Sequence, residues 1–346
     1  MTNFSDLPWE IRDEIWKPVP RDDHPGVHIF GHYDEKKKNT PEGRSMMHGN
    51  LFSGILSEPP PHRYFKSLRE GCDDENISTY LIDGAMWTTC KESRLVMEKH
   101  FSQYKWPTYA DFFRRFYRDT REFIGYPYDE VFQVPSTGYF QGNSPAYLTV
   151  FPRRDLFVFQ PDTLEGVDWY FVGSGPTRGG MRPPFRRLQH IAIEYNPKWW
   201  DEMTDLPDRP NVNNLINGVF ELRDCCKLWF IDTSLKRKMD APAFEENSSD
   251  YEKLNAFYAR DRKFLEVDCI DGSDFPEDWE YAKPVTDTSN RERSFSVDFF
   301  RQLQEEIWYQ YRSAVFRAKH FNAGNVLHAR SRSAHCKIGL LGCDEL

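Results

Sequence analysis

Leu188-Gln189-His190-Ile191-Ala192-Ile193-Glu194-Tyr195 opens the stretch that decides the fold class. Leu188 to Tyr195 reads as a strand with Ile191 and Ile193 on one face, the two-residue period of a pleated chain. Further on, Val212, Leu215, Ile216, Val219 and Phe220 recur at i, i+3, i+4, i+7 and i+8, which is the apolar stripe of a helix. Leu228 to Ile231 is again an apolar strand-length run. Residues 188 to 233 therefore read as a β-α-β unit, with a right-handed crossover if its strands are parallel. The same opening fits the leucine-rich pattern L-x-x-L-x-L-x-x-N through Asn196. Its imperfect echo at Cys225 starts farther on than the roughly 20–29 residue period of that repeat class, so the stretch is a strand beside a helix and not a solenoid.

Upstream, Tyr147 to Phe151 and Leu156 to Phe159 flank Pro152-Arg153-Arg154-Asp155 and predict a hairpin. Asp168 to Val172 predicts a third strand, and Gly173 to Pro184 a loop. Nearer the start, Val27 to Phe30 reads as a strand. Met86, Cys90, Ser93, Met97 and Phe101 form one face of a helix over residues 85 to 101. Leu7, Ile11 and Ile15 recur at helical spacing, with Pro8 tolerated in a first turn, Ser5 or Asp6 as cap, and Pro18 and Pro20 as the stop. Residues 34 to 62 read as loop, 108 to 124 as helix, and 126 to 145 as irregular. Downstream, 234 to 250 is polar loop, followed by a helix near 251 to 262 and a strand at Phe264 to Val267. Phe300, Leu303, Ile307, Tyr311 and Ala314 mark a last helix over 295 to 316. Residues 317 to 346 carry little periodicity and read as a partly disordered basic tail. The expected architecture is α+β: a mixed β-sheet of about five to seven strands with helices packed against it, the N-terminal helix docked on the 85 to 101 helix.

Composition narrows the function classes. Of the 346 residues 16% are aromatic, which argues against global disorder. Lys and Arg number 45 against 54 Asp and Glu, a balance that disfavours nucleic-acid binding. No apolar run has the length of a membrane span, and the N-terminus carries no secretory pattern. Seven cysteines are an odd, irregularly spaced set, expected as reduced thiols of a cytoplasmic or nuclear protein.

The motif that carries information is Leu7-Pro8-Trp9-Glu10-Ile11-Arg12-Asp13-Glu14-Ile15-Trp16, followed later by Cys90-Lys91-Glu92-Ser93-Arg94. Each contains an E-x-R pair. Residues i and i+2 of a helix do not face each other, so Glu10 cannot pair with Arg12, nor Glu92 with Arg94. At least one cross-pair is expected instead, Glu10 with Arg94 or Glu92 with Arg12. The opening resembles the L-P-x-E-[IL]-R-x-x-I-W start of the fungal two-EXR domain family, and the second motif resembles that family's C-x-E-S-R helix. The resemblance spans residues 4 to 233 and implies an interaction domain with no established activity and no catalytic residues. It leaves 234 to 316 as an extension packed on the same domain. The opening also resembles the start of an F-box, which links a target-binding domain to a ubiquitin-ligase scaffold, although Pro18, Pro20 and Pro25 intervene where its next helices belong. Leu7, Pro8, Glu10, Arg12, Trp16, Glu92 and Arg94 are the candidate residues, bracing the fold or binding a protein partner.

The other signals have plainer readings. His24, His28 and His32 recur every four residues but fall on a strand, where they read as solvated or locally bonded rather than metal-ligating. His328, His335, Cys336 and Cys343 lack zinc-finger spacing. Gly173 to Gly180 lacks the Lys and the following helix of a phosphate loop. No nucleophile elbow or catalytic cysteine context is present, and no cofactor is expected. The leading expectation is a non-enzymatic, intracellular protein–protein interaction module, an F-box-like adaptor being its most specific form. The alternative is an enzyme with its site at the sheet edge.

Overall fold

The computed structural model describes residues 4–17, 24–34, 45–46, 54–57, 77–102, 136–141, 146–161, 163–167, 169, 172, 188–204, 208–222, 226–244, 254–269, 275–282, 296–321 and 336–345. The helices are α1 (Trp9–Trp16), α2 (Tyr80–Thr89), α3 (Lys91–Ser102), α4 (Lys198–Thr204), α5 (Pro210–Glu221) and α6 (Ser296–Phe321). The strands are β1 (Val27–Asp34), β2 (Ser45–Met46), β3 (Gly54–Ser57), β4 (Ser136–Gln141), β5 (Ala146–Val150), β6 (Leu156–Pro161), β7 (His190–Glu194), β8 (Lys227–Arg237), β9 (Ala256–Tyr258), β10 (Arg262–Glu266), β11 (Trp279–Tyr281) and β12 (Lys337–Glu345). The fold is α+β with a mixed sheet in the order β5-β4-β2-β3-β1-β6-β7-β8-β12-β10-β9, and β11 pairs with β8. At 12 strands the sheet is wider than the five to seven expected. The excess comes from short strands such as β2 and β3, whose pairing is supplied by neighbours and leaves no periodicity to read.

The β-α-β unit forms as its spacing predicts: β7 and β8 are parallel and α5 lies between them in the chain. β1, β6, β7, β8 and β12 form a parallel centre. β10 and β9 continue it antiparallel. The far edge of β9 then returns to the start of β1. Gly26 and Tyr258 form a parallel bridge, and the Tyr258 N–H donates to the Pro25 carbonyl at 2.8 Å. Where the two strands diverge, Ile77-Ser78-Thr79 fills the gap. Thr79 N–H donates to Val27 O at 2.8 Å, Val27 N–H to Thr79 Oγ1 at 2.9 Å, and Ile29 N–H to Ser78 Oγ at 3.0 Å. The seven strands thus curl into a barrel.

Strand alternation sorts the side chains into two layers. Val27, Ile29, Leu156, Val158, Ala192, Trp229, Ile231, Phe264 and Leu341 fill the interior. The opposite set, including Phe157, Ile191, Ile193, Leu228, Phe230 and Leu340, faces outward and is covered by α4, α5 and α6 through Trp199, Leu215, Ile216, Phe299 and Leu303. Gly339 and Gly342 of β12 lie against the rings of Trp229 and Trp279. A Cβ on Gly339 would come within 2.5 Å of the Trp229 ring.

Asp155 sets the junction at which the chain enters the barrel. Its carboxylate is fully buried. It accepts the Gly26 N–H at 2.9 Å and the Phe151 N–H at 2.8 Å, and lies 2.8 Å from His28 Nε2. This arrangement corrects the predicted hairpin. β5 and β6 do form, but β5 pairs with β4 whereas β6 inserts between β1 and β7. The carboxylate holds the turn to β1, so the chain does not fold back on β5.

Other expectations are corrected by pairing across the chain. Parts of the tail are ordered: α6 runs on to Phe321, and Lys337–Glu345 is strand β12, while residues 322–335 lie outside the described residues. β8 runs through position 233, and β12 sits between β8 and β10, in the same sheet. The helix expected near 251 to 262 is the β9–β10 pair, and the strand expected at 168 to 172 has helical backbone at Trp169 and Val172. Trp169 lies against α5, its Nε1–H donating to Asn214 Oδ1 at 2.8 Å. β2, β3 and β4 occur in stretches read as loop. α4 had no sequence signal. The helix read at 108 to 124 and the loop at 173 to 180 lie outside the described residues.

Asp155→Asn keeps the shape but turns an NH2 group toward groups that donate, and is expected to destabilise the protein by about 2–4 kcal/mol in urea unfolding. Gly339→Ala is expected to cost about 1–3 kcal/mol by overpacking, with a change in tryptophan fluorescence as Trp229 is displaced.

Candidate functional site

The N-terminal motif folds into two devices. Cys90 is extended (φ −156°, ψ 177°) and breaks the single helix expected over 85 to 101 into α2 and α3. Its Sγ accepts the Ser93 N–H at 3.4 Å, and Ser93 Oγ accepts the Cys90 N–H at 3.1 Å. This is a reciprocal capping box with sulfur in the cap position. Ser93 Oγ also donates to Met86 O at 2.7 Å, tying the cap back to α2. Burial raises the Cys90 thiol pKa, but its contacts with Ser93 outweigh that and leave it below its ordinary value.

The second device joins α1 to α3. Arg12 Nε donates to Glu92 Oε2 at 2.8 Å and Nη2 to Glu92 Oε1 at 2.6 Å, the parallel fork of an arginine–carboxylate pair. Arg12 Nη1 donates to Leu7 O at 2.5 Å, so the same side chain holds the turn before α1. Of the two cross-pairs expected, this one forms. The other does not: Glu10 is exposed, and Arg94 Nε donates to Trp87 O at 3.2 Å. Trp16 packs on the cluster of Met86, Met97, Phe101 and Phe151, and its ring lies 5.2 Å from that of Phe4. Pro8 precedes α1, its carbonyl accepting the N–H groups of Ile11 and Arg12 at 3.1 and 3.2 Å.

The apolar stripe read from the sequence is not the docked face. α1 has no buried residue, and Ile11 and Ile15 are 50% and 43% exposed. Trp9 at the start of α1 and Leu95 on α3 are exposed as well. Leu95 follows Glu92 by three residues and so shares its side of α3. The helix is held from one side by Arg12 and Trp16, and its isoleucines are left outward.

Two cavities lie at opposite ends of the parallel strands. The larger, about 1520 Å³, opens at their amino ends and is lined in part by His190, Lys227, Asn255 and Glu266. Lys227 Nζ lies 2.5 Å from Glu266 Oε1 and 3.9 Å from the centre of the Trp229 ring. Glu266 Oε2 accepts the N–H and the Nδ2–H of Asn255 at 3.0 and 2.6 Å. Trp229 Nε1 donates to His190 Nδ1 at 3.2 Å. Indole is a donor only, so the proton of the neutral imidazole sits on Nε2. Burial, aided by the positive Lys227, lowers the His190 pKa to about 3. His190 is thus held as a neutral ring in the cavity wall. Cys269, in the same wall, is pushed up to about 12 by burial and is held as a thiol. Sequence reading missed this cluster, although each member lies two residues along its strand or chain from an interior apolar residue. The smaller cavity, about 520 Å³, lies at the carboxyl ends of β6 and β7.

Protein-family models, curated proteins and solved structures yield no match.

Among the described residues, no cluster of three or more His, Cys, Asp or Glu is placed to hold a metal, and no helix is long and apolar enough to cross a membrane. The His24 ring lies 4.6 Å from that of Tyr258 and tilted to it, His28 bonds Asp155, and the side chain of His32 lies outside the described set.

The Arg12 fork holds the Glu92 pKa below its ordinary value of 4.5 and raises that of Arg12. A lowered carboxylate pKa means the pair is intact above that ordinary value and is lost as pH falls through the lowered one. Hydrogen exchange of the α1 amides, corrected for intrinsic rate, is expected to lose protection below pH 4.5 while the barrel strands stay protected. Glu92→Gln is expected to leave α1 weakly protected at every pH.

Proposed function

We propose that this protein is a non-enzymatic protein–protein interaction module whose contact is the outer face of α1, an F-box-like adaptor being the most specific form of that reading. The observation that carries it is a helix with no buried residue that nevertheless presents Ile11 and Ile15, one turn apart on one face, to solvent. Exposed apolar side chains grouped on one element are a recognised mark of an interface, whereas scattered ones are not. The bidentate pair beneath them fixes the helix in place, so a partner would meet a pre-ordered surface. Amphipathic helices that seat one apolar face in a partner's groove are read through anchors at i and i+4, the spacing of Ile11 and Ile15. The fungal two-EXR resemblance supports the same reading without naming a partner. The Leu7-Pro8 opening makes a ubiquitin-ligase scaffold subunit the first partner to try.

Ile11→Glu/Ile15→Glu is expected to leave the unfolding midpoint unchanged, since neither side chain is buried. Titration calorimetry of the intact chain against a purified ubiquitin-ligase scaffold subunit is expected to give binding that the double variant loses. Binding retained by the double variant would move the contact away from α1. No binding by the intact chain would remove the adaptor form of the proposal.

A further inference from the structure

Strand alternation turns Lys227, Asn255 and Glu266 toward the barrel interior at its amino end. Trp229 follows Lys227 by two residues, Phe257 follows Asn255 by two and Phe264 precedes Glu266 by two, and all three rings fill the interior. Lys227 belongs to β8 and Glu266 to β10, with β12 between them. The lysine reaches across because β12 has a glycine on its path: a Cβ on Gly339 would stand 2.7 Å from Lys227 Cε. Asn255, the residue before β9, is held against Glu266 by the hairpin. The Glu266 N–H donates to Asn255 O at 2.9 Å, and the Asn255 N–H donates to Glu266 Oε2 at 3.0 Å.

One carboxylate therefore holds an amine and a primary amide on its two oxygens. Lys227 Nζ donates to Glu266 Oε1 at 2.5 Å, and Asn255 Nδ2 donates to Oε2 at 2.6 Å. A nitrogen able to attack and a nitrogen able to leave are thus held side by side, with a proton carrier touching both. Such placement replaces a chance encounter between the reacting groups. A lysine nitrogen becomes a nucleophile once an adjacent base has taken its proton, and Glu266 is the base in contact with it. The surroundings assist that transfer. The side chains of Lys227 and Glu266 are only 21% and 13% exposed, and Lys227 Nζ lies 3.9 Å from the centre of the Trp229 ring. Poor solvation penalises the charged forms of both partners and brings the neutral amine within reach. All three residues line the cavity of about 1520 Å³, which gives a leaving group its exit.

We propose that Lys227 and Asn255 join in an isopeptide bond that the protein forms by itself, with Glu266 as the catalytic acid–base. Glu266 takes a proton from the Lys227 ammonium, and the freed Nζ electron pair attacks Asn255 Cγ to make the new C–N bond. Glu266 hands its proton to Nδ2 as the Cγ–Nδ2 bond breaks, and ammonia leaves. The second proton shed by Nζ follows through the same carboxylate, so the group lost is ammonium and Glu266 ends as it began. Nothing is oxidised or reduced, and no co-reactant enters. The product is a covalent strap from β8 to the start of β9 that passes over β12 on the interior side. The site is separate from α1 and does not depend on the interaction proposal.

Mass spectrometry of the purified full chain, denatured and reduced, is expected to give the mass of the sequence less one ammonia. Tryptic mapping is expected to find the segment bearing Lys227 joined to the segment bearing Asn255, with no cleavage after Lys227. Asn255→Ala and Lys227→Arg are expected to keep the full mass. Glu266→Gln retains the side-chain shape but cannot carry the proton, and is expected to slow the joining by about 100-fold in freshly synthesised chain. A full sequence mass for the intact protein would overturn the proposal, and that measurement needs no variant to fold. Loss of ammonia without joined segments, which marks a succinimide at an asparagine, would overturn it as well. So would joining that proceeds as fast in Glu266→Gln as in the parent chain.

Discussion

The buried carboxylate of Asp155 is the constraint on which the barrel depends. A carboxylate at that depth has to be met by donors on every side, and here they come from three directions: the backbone behind it at Phe151, the backbone across from it at Gly26, and the ring of His28. Those bonds place Leu156 opposite Val27, and the Leu156 N–H donates to Gly26 O at 2.8 Å. Every later parallel strand is laid against that first pair. The closing bridge also begins at Gly26, so the residue that receives the carboxylate is the one at which the barrel meets itself. Registry and closure thus share one anchor.

From that anchor the chemistry separates into a rigid centre and a peripheral surface. Interior and outer layers are both apolar, and helices cover the outer one, so the strands of the parallel centre read as continuous hydrophobic runs rather than alternating ones. Trp229 spans the interior toward the amino-end cavity, touching Lys227, His190 and Phe257. The polar groups there satisfy one another, which suits a structural floor. Around α1 the balance is reversed. The helix contributes little to the core, and its position rests on one ion pair and one tryptophan. Loss of α1 contacts therefore leaves the barrel standing, and the surface can change without the fold changing.

How much was legible follows from how local each signal is. The β7–α5–β8 unit was legible because its periods lie within single elements, as at Leu215, Ile216 and Val219. The Arg12–Glu92 pair was legible because helix geometry forbids the alternatives within each motif. The partner of β6 was not, since Pro152 to Asp155 looks like a turn whether the next strand folds back or crosses over; the choice depends on Gly26, far away in the chain. β12 was hidden for the same reason. Gly339 and Gly342 interrupt its apolar run, and each is small because a tryptophan ring, Trp229 of β8 or Trp279 of β11, occupies the space. In α1, Ile11 and Ile15 mark the helix, but the side that docks is set by Arg12 and Trp16.

The placement of β12 also bears on how the protein is made. On the ribosome β8 and β10 emerge well before Lys337, and the slot between them stays empty until residues 337 to 345 follow. Until then two strands expose unpaired edges and the barrel cannot close, although α1 to α5 are already available to fold. Nascent chains in this condition offer templates for intermolecular strand pairing. Translation that stalls or terminates before Lys337 would leave a species with an open seam, recognisable to holding chaperones and prone to aggregate, however complete its helices.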